Sequence, residues 1–163
     1  MTHRLAALCA AIAIVAGVPA AAATIVQNGS FETGPEGKGL VNNGFFSQLD
    51  MSGKPNWDVW SALPGWTSKG SGIEIQSNRT IGEVDAQDGK RYVELDSHPK
   101  PGSNSSMAQD VLLKRGEYLL SFWFSPRAKG NDSAEKLAKS NVIEYAVGSL
   151  VSGSVTGPSK DFG

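Results

Sequence analysis

Residues 72–76, GIEIQ, show the clearest structural pattern of the chain, because apolar and polar side chains alternate along them. Residues 91–96, RYVELD, repeat this alternation after a turn-forming sequence at residues 87–90. An alternation with a period of two is typical of a β-strand that buries one of its faces. Both stretches are therefore predicted to be strands, with Ile73, Ile75 and Val93 facing the core.

Further short apolar stretches lie between clusters of Gly, Pro, Asn, Asp and Ser. We predict additional strands at residues 24–26, 107–113, 118–125, 142–147 and 150–155, with Gly148 as the turn between the last two. Residues 133–139 resemble a short helical turn, and residues 35–60 lack periodicity and are predicted to form a long surface loop. Many short strands and hardly any helix indicate an all-β fold, an antiparallel sandwich or barrel.

The overall composition limits the classes of function. A chain of 163 residues is long enough for one domain. Its 15 Lys and Arg residues nearly balance its 16 Asp and Glu residues, so no net field attracts nucleic acid or an anionic membrane. The hydrophobic fraction of 40% is too high for a disordered chain, and the single Cys excludes an internal disulfide.

The first 23 residues have the pattern of a secretory signal peptide. A short basic start precedes an apolar run at residues 5–18, which is followed by four alanines that end at Ala23. The run is shorter than the roughly 20 residues that span a bilayer, so no integral membrane span is expected after cleavage. Cys9 lies early in the apolar run, which argues against lipidation, and it leaves with the signal. The prediction is a single domain at residues 24–163, secreted to the cell envelope or the extracellular space.

Five motifs carry a resemblance to a known family. In chain order they are NGSFE at 28–32, LPGW at 63–66, GIEIQ at 72–76, DG with YVELD at 88–96, and GEYLLSF at 116–122. Together they resemble the galactose-binding-domain-like jelly rolls, and in particular a family of secreted proteins of unknown function from plant cell walls and bacterial exported proteins. The resemblance covers residues 25–157 and implies an antiparallel jelly-roll β-sandwich.

The resemblance also implies two features at the ends of the domain. Members of the family continue beyond the equivalent of residues 151–157 with closing strands, one of which pairs with the first strand. We therefore expect these closing strands to be missing and the domain to be C-terminally incomplete; whether a sorting tail follows in the full gene stays open. Members often hold one structural Ca²⁺, and the resemblance nominates Glu32 as a ligand. The alternative is that Glu32 caps a turn.

The candidate ligand is a polysaccharide or a cell-surface glycan. Trp57 and Trp60 lie in a segment rich in Gly and Asn, where they could be exposed or could tuck under the loop. If the strands at 72–76, 91–96 and 118–125 are neighbours, alternation brings a further set of polar and aromatic side chains to one face. An Arg, two carboxylates and a Trp suit a polyhydroxylated ligand, although the same set could be a solvated face with a weak surface ion pair. This second set is Glu74, Glu94, Trp123 and Arg127.

No catalytic signature is found in the sequence. The predicted mature chain has His98 as its one histidine, no cysteine and no Gly-x-Ser-x-Gly motif. Glu74 and Glu94 could approach each other, but positions on an open sheet are not the cleft that glycoside hydrolysis needs. The leading hypothesis is therefore a secreted, non-catalytic carbohydrate- or cell-surface-binding module. The alternative is a structural or adhesive envelope or matrix protein without a sugar site, and a glycan-active enzyme is a distant third.

Overall fold

The structure is a computed structural model that describes residues 24–81, 84–95, 105–125 and 142–156. The predicted signal peptide at 1–23, the helix-like stretch at 133–139, His98 and Arg127 lie outside the described residues. In the part of the chain that is described, no helix is long and apolar enough to cross a membrane.

The described residues form short strands and one 3₁₀ turn at Phe46–Gln48. The eight strands are β1 (Trp57–Trp60), β2 (Ala62–Leu63), β3 (Trp66–Lys69), β4 (Ile73–Ser77), β5 (Arg91–Glu94), β6 (Ser106–Ala108), β7 (Val142–Val147) and β8 (Val151–Thr156). All pairings between them are antiparallel. The predicted all-β class is confirmed, while the jelly-roll connectivity and the missing closing strands stay predictions.

The strands form two three-stranded sheets and a separate hairpin. Sheet one has the strand order β1-β4-β5, sheet two has the order β2-β3-β6, and β7 pairs with β8. Strand β4 is the centre of sheet one, and all five of its residues are buried. A central strand that is covered on both faces holds its register firmly, because a slip by one residue would exchange the two faces.

One apolar cluster joins the two sheets. Ile73 and Ile75 of β4 are almost completely buried in it, and Leu63 of β2 joins them from sheet two. Half-buried side chains from both sheets pack against its edge, which gives the layered arrangement of a β-sandwich. The buried members are Phe46, Leu49, Trp60, Leu63, Ile73 and Ile75, and the half-buried ones are Phe31, Trp66, Val93 and Met107.

Several predicted strand positions are wrong. Residues 24–26 and 118–125 form no strand, and the strand predicted at 107–113 is limited to Ser106–Ala108. Alternation along the predicted strand at 118–125 would place Phe122 in the core, but Phe122 is 42% exposed. The predicted surface loop at 35–60 is also wrong in part, because it contains β1 and contributes Phe46 and Leu49 to the core.

The β7–β8 hairpin lies where the sequence predicts it. Its register joins Val142 to Thr156 and Val147 to Val151, with Gly148 in the turn. One face of the hairpin is apolar, and together with the segment before it this face forms an open groove of about 280 Å³. We call this the hairpin groove; its lining residues are Leu120, Phe122, Tyr145, Val151 and Val155.

Candidate functional site

On the face opposite the apolar core, sheet one carries polar and aromatic side chains together with one aliphatic residue, Val59. The antiparallel register sets them in two rows across the three strands, because directly paired residues point to the same side. We call this group the polar face. Its rows are Trp57, Gln76 and Tyr92, and Val59, Glu74 and Glu94.

The two carboxylates of the polar face lie side by side. Glu74 of β4 is the direct partner of Glu94 of β5. The Gln76 amide lies between them: its Nε2 donates to Glu74 Oε1 at 2.7 Å and also to Glu94 Oε2. A donor shared by both groups offsets part of the repulsion that two like charges have across a sheet.

Tyr92 fixes the orientation of this amide. The Tyr92 hydroxyl donates to Gln76 Oε1 at 3.1 Å and accepts from the Ile81 backbone N–H at 3.3 Å. Both ends of the Gln76 side chain are therefore bonded, and its NH₂ group is directed to the carboxylates. This chain of donors and acceptors holds both carboxylates in position.

Exposure differs across the polar face. Glu74 and Gln76 are buried, at 1% and 3% exposure, whereas Trp57, Tyr92 and Glu94 are half-buried. The prediction that Glu74 faces away from Ile73 and Ile75 is confirmed, but the expectation that it faces solvent is wrong. A ligand on this face would touch Trp57, Tyr92 and Glu94 first, with Gln76 and Glu74 behind them.

The other predicted saccharide-contacting residues lie elsewhere. Trp60 is 3% exposed and packs edge-on against Phe46 in the core, with ring centroids 5.5 Å apart. It therefore has almost no surface to offer a ligand. Trp123 is 79% exposed in a segment without a strand, so the register that would have brought it beside Glu94 is not formed. Arg127 lies outside the described residues.

Glu32, the predicted calcium ligand, is bonded to the turn that precedes β5. Its Oε1 accepts from the backbone N–H groups of Lys90 and Arg91 at 2.7 and 2.8 Å. Its Oε2 forms an ion pair with Arg91 Nη1 at 2.8 Å. This geometry is that of the alternative, in which Glu32 caps a turn; a calcium role stays a prediction. Among the described residues, no three His, Cys, Asp or Glu side chains are grouped so that they could hold a metal ion.

The first motif also contacts the second. The Asn28 side-chain amide donates to the carbonyls of Thr33 and Pro64 at 2.8 and 3.2 Å, and Trp66 Nε1 donates to the Asn28 carbonyl at 3.2 Å. The rings of Phe31 and Trp66 lie 5.8 Å apart. Residues 28–32 therefore tie residues 63–66 to the turn before β5.

Asp58 is the polar residue that sequence reasoning missed. It lies on the core side of β1 and is completely buried, and its carboxylate accepts four backbone hydrogen bonds. Three of the four donors come from residues 41–44. A sequence signal existed: an acidic residue inside the apolar run WDVW, with Gly39 and the Asn-Asn-Gly turn at 42–44 shortly before it.

Comparisons with family models, with curated protein sequences and with solved structures give no match to this chain.

Proposed function

We propose that the protein is a secreted, non-catalytic binding module for a polysaccharide or a cell-surface glycan, and that the polar face is its binding site. The observation that carries the proposal is the placement of Trp57 and Tyr92 in one row with Gln76, beside Glu74 and Glu94. Saccharide recognition uses aromatic surface against the ring and a few fixed polar groups for the hydroxyls. Both kinds of group are present on this face.

The polar contacts support binding more than catalysis. Gln76 donates to both carboxylates, and the Tyr92 hydroxyl in turn bonds Gln76. The carboxylates are thus held as hydrogen-bond acceptors in a fixed position, which reduces the cost of ordering them when a ligand binds. We also propose export through the N-terminal 23 residues.

Affinity electrophoresis of the secreted chain in gels that contain single polysaccharides tests this proposal. We expect retardation in at least one gel, and an increase of about tenfold in Kd for Trp57→Ala as its aromatic contact is lost. Trp123→Ala is the matched control, because Trp123 is more exposed but lies outside the polar face. Equal loss in both variants, or retardation by no polysaccharide, would argue against the polar face.

A second candidate is a structural or adhesive protein without a sugar site. The hairpin groove favours it, since Leu120, Phe122 and Val151 are each more than 40% exposed around an open apolar surface. Exposed apolar patches of this kind mark protein contacts or ligand-binding grooves. Binding to purified envelope or matrix fractions that survives Trp57→Ala but is lost in Phe122→Ser would favour this candidate.

We also propose that Glu32 is a ligand of one structural Ca²⁺. A cation that binds only the folded protein raises its melting temperature. We expect EDTA to lower the melting temperature of the wild-type chain and to leave that of Glu32→Gln unchanged. If EDTA has no effect on the wild-type chain, Glu32 has the turn-capping role alone.

A further inference from the structure

The buried carboxylate of Asp58 is surrounded by backbone N–H groups. Oδ1 accepts from Val41 at 3.0 Å, from Asn42 at 3.1 Å and from Val59 at 2.8 Å. Oδ2 accepts from Gly44 at 2.9 Å. Among the described residues, no Lys or Arg forms an ion pair with Asp58. The backbone dipoles of one short loop therefore supply most of the solvation that this charge loses on burial.

The loop that surrounds this carboxylate, residues 39–44, is closed at its ends. The Gly39 N–H donates to the Gly44 carbonyl at 2.8 Å, and the Leu40 N–H donates to the Val59 carbonyl at 2.8 Å. The Asn42 side chain donates to the Trp57 carbonyl at 2.9 Å. We call residues 39–44 the anion loop. Its N–H groups converge on one point, as in the backbone concavities that bind anions in other proteins.

The fit between loop and carboxylate is close. A Cβ atom placed on Gly39 would lie 2.1 Å from Asp58 Cγ, so the absence of a side chain there is what lets the carboxylate enter. Gly44 also lacks a side chain, and a Cβ there would lie 3.5 Å from Oδ2. The space is shaped for a planar carboxylate with two acceptor oxygens.

We infer that the anion loop is a binding site for a small monocarboxylate, and that the Asp58 side chain is its resident anion. When that carboxylate is removed, a free carboxylate of the same size takes its place. Formate matches the group that Asp58→Ala removes. Formamide has the same shape but no charge: its carbonyl oxygen can accept at one of the two oxygen positions, but its NH₂ group presents donors to N–H donors at the other. Formate is therefore expected to restore the loop clearly better than formamide.

Thermal melting of the full chain in the Asp58→Ala variant tests the inference. Because the variant leaves several buried N–H groups without an acceptor, its melting temperature should fall by about 10 °C. Rising concentrations of sodium formate, at an ionic strength kept constant with sodium chloride, should recover part of this loss and then saturate. Formamide should recover clearly less, because it offers one acceptor oxygen and no charge. Formate should have no effect on the wild-type protein or on Asp58→Asn, whose side chain still fills the site.

Recovery by formate and formamide alike, or by neither, overturns the inference. If Asp58→Ala does not fold in buffer, refolding from urea takes the place of melting: formate should restore the β-type circular dichroism spectrum, and a failure to restore it counts against the site. A second measurement uses the wild-type protein. The amides of Val41, Asn42 and Gly44 should exchange with solvent much more slowly than that of Gly53 in the exposed 51–54 turn, and equal exchange rates would contradict the anion loop.

Discussion

Glu32 and Arg91 connect the first motif of the described chain to the edge of sheet one. Arg91 lies over the Phe46 ring at 4.6 Å, pairs with Glu32 at 2.8 Å and reaches Asp50 at 3.5 Å, with only 11% of its side chain exposed. The planar guanidinium group stacks on the aromatic ring and shields it from solvent. The carboxylates of Glu32 and Asp50 balance its positive charge, which is largely withdrawn from water. The ion pairs of Arg91 thus hold its side chain over Phe46 and complete the packing of this core residue.

The first prediction concerns the acidic partner in this contact. Glu32→Gln replaces a carboxylate that accepts from two backbone N–H groups and from Arg91, and it turns an NH₂ group toward donors. We expect the free energy of unfolding to fall by about 2 kcal/mol, measured by urea denaturation. Glu144→Gln is the control, since Glu144 is an exposed residue of β7. A loss as small as that of the control would mean that the Glu32 contacts contribute little.

The second prediction concerns Gly39, which leaves room for the Asp58 carboxylate. Gly39→Ala would place a methyl group 2.1 Å from Asp58 Cγ, so the loop or the strand must move. We expect destabilisation of about 2 kcal/mol or more. Gly116→Ala is matched to it, because the nearest atom there lies 3.9 Å from the new methyl group. Similar melting temperatures for the two variants would refute the steric account.

Among the strands, the sequence predicted those whose apolar and polar residues alternate regularly. Strand β7 has the predicted bounds, and its exposure alternates from Val142 to Val147. Strand β1 was missed because its sequence, WDVW, shows no regular alternation and lies in a segment rich in Gly and Asn. Its burial depends on hydrogen bonds from residues 41–44, which no pattern within β1 could reveal.

The opposite error occurred at residues 118–125. This stretch is rich in aromatic and aliphatic residues, which predicted the strongest strand of the chain. A strand also needs a neighbour that satisfies its backbone, and no partner strand is assigned to it among the described residues. Leu119 and Trp123 are 91% and 79% exposed as a result. The predicted approach of Glu74 to Glu94 was correct because it depended only on β4 and β5; the approach of Trp123 depended on this third strand.

The hairpin gives the third prediction. Gly148 has a positive φ of 51° in the turn, a conformation that costs most residues free energy but that Asn adopts readily. We expect Gly148→Ala to destabilise the protein by about 1 kcal/mol and Gly148→Asn to cost clearly less. No atom lies within 4 Å of the position, so crowding does not distinguish the two variants. Equal costs in thermal melts would show that the turn geometry does not limit stability.

In the whole molecule, the polar face and the apolar hairpin groove lie on different strands. The polar face belongs to sheet one, and the hairpin groove belongs to β7, β8 and the segment before them. A binding module and an adhesive contact could therefore coexist in one chain. The two surfaces share no residue, so we expect variants in one surface to leave the other intact.

The last prediction concerns the export of the whole chain. If residues 1–23 are a signal peptide, expression in a bacterium should yield a periplasmic or extracellular product whose N-terminus is Thr24. Because the chain has one cysteine, Cys9, this product should contain no thiol, and a reducing agent should leave its melting temperature unchanged. Ala23→Arg removes the small residue before the cleavage point and should leave the uncleaved chain in the membrane fraction. Ser149→Arg adds the same charge in the exposed hairpin turn and is the control, because it should leave cleavage and export unchanged. A cytoplasmic product that still begins at Met1 and carries a free thiol would refute the prediction.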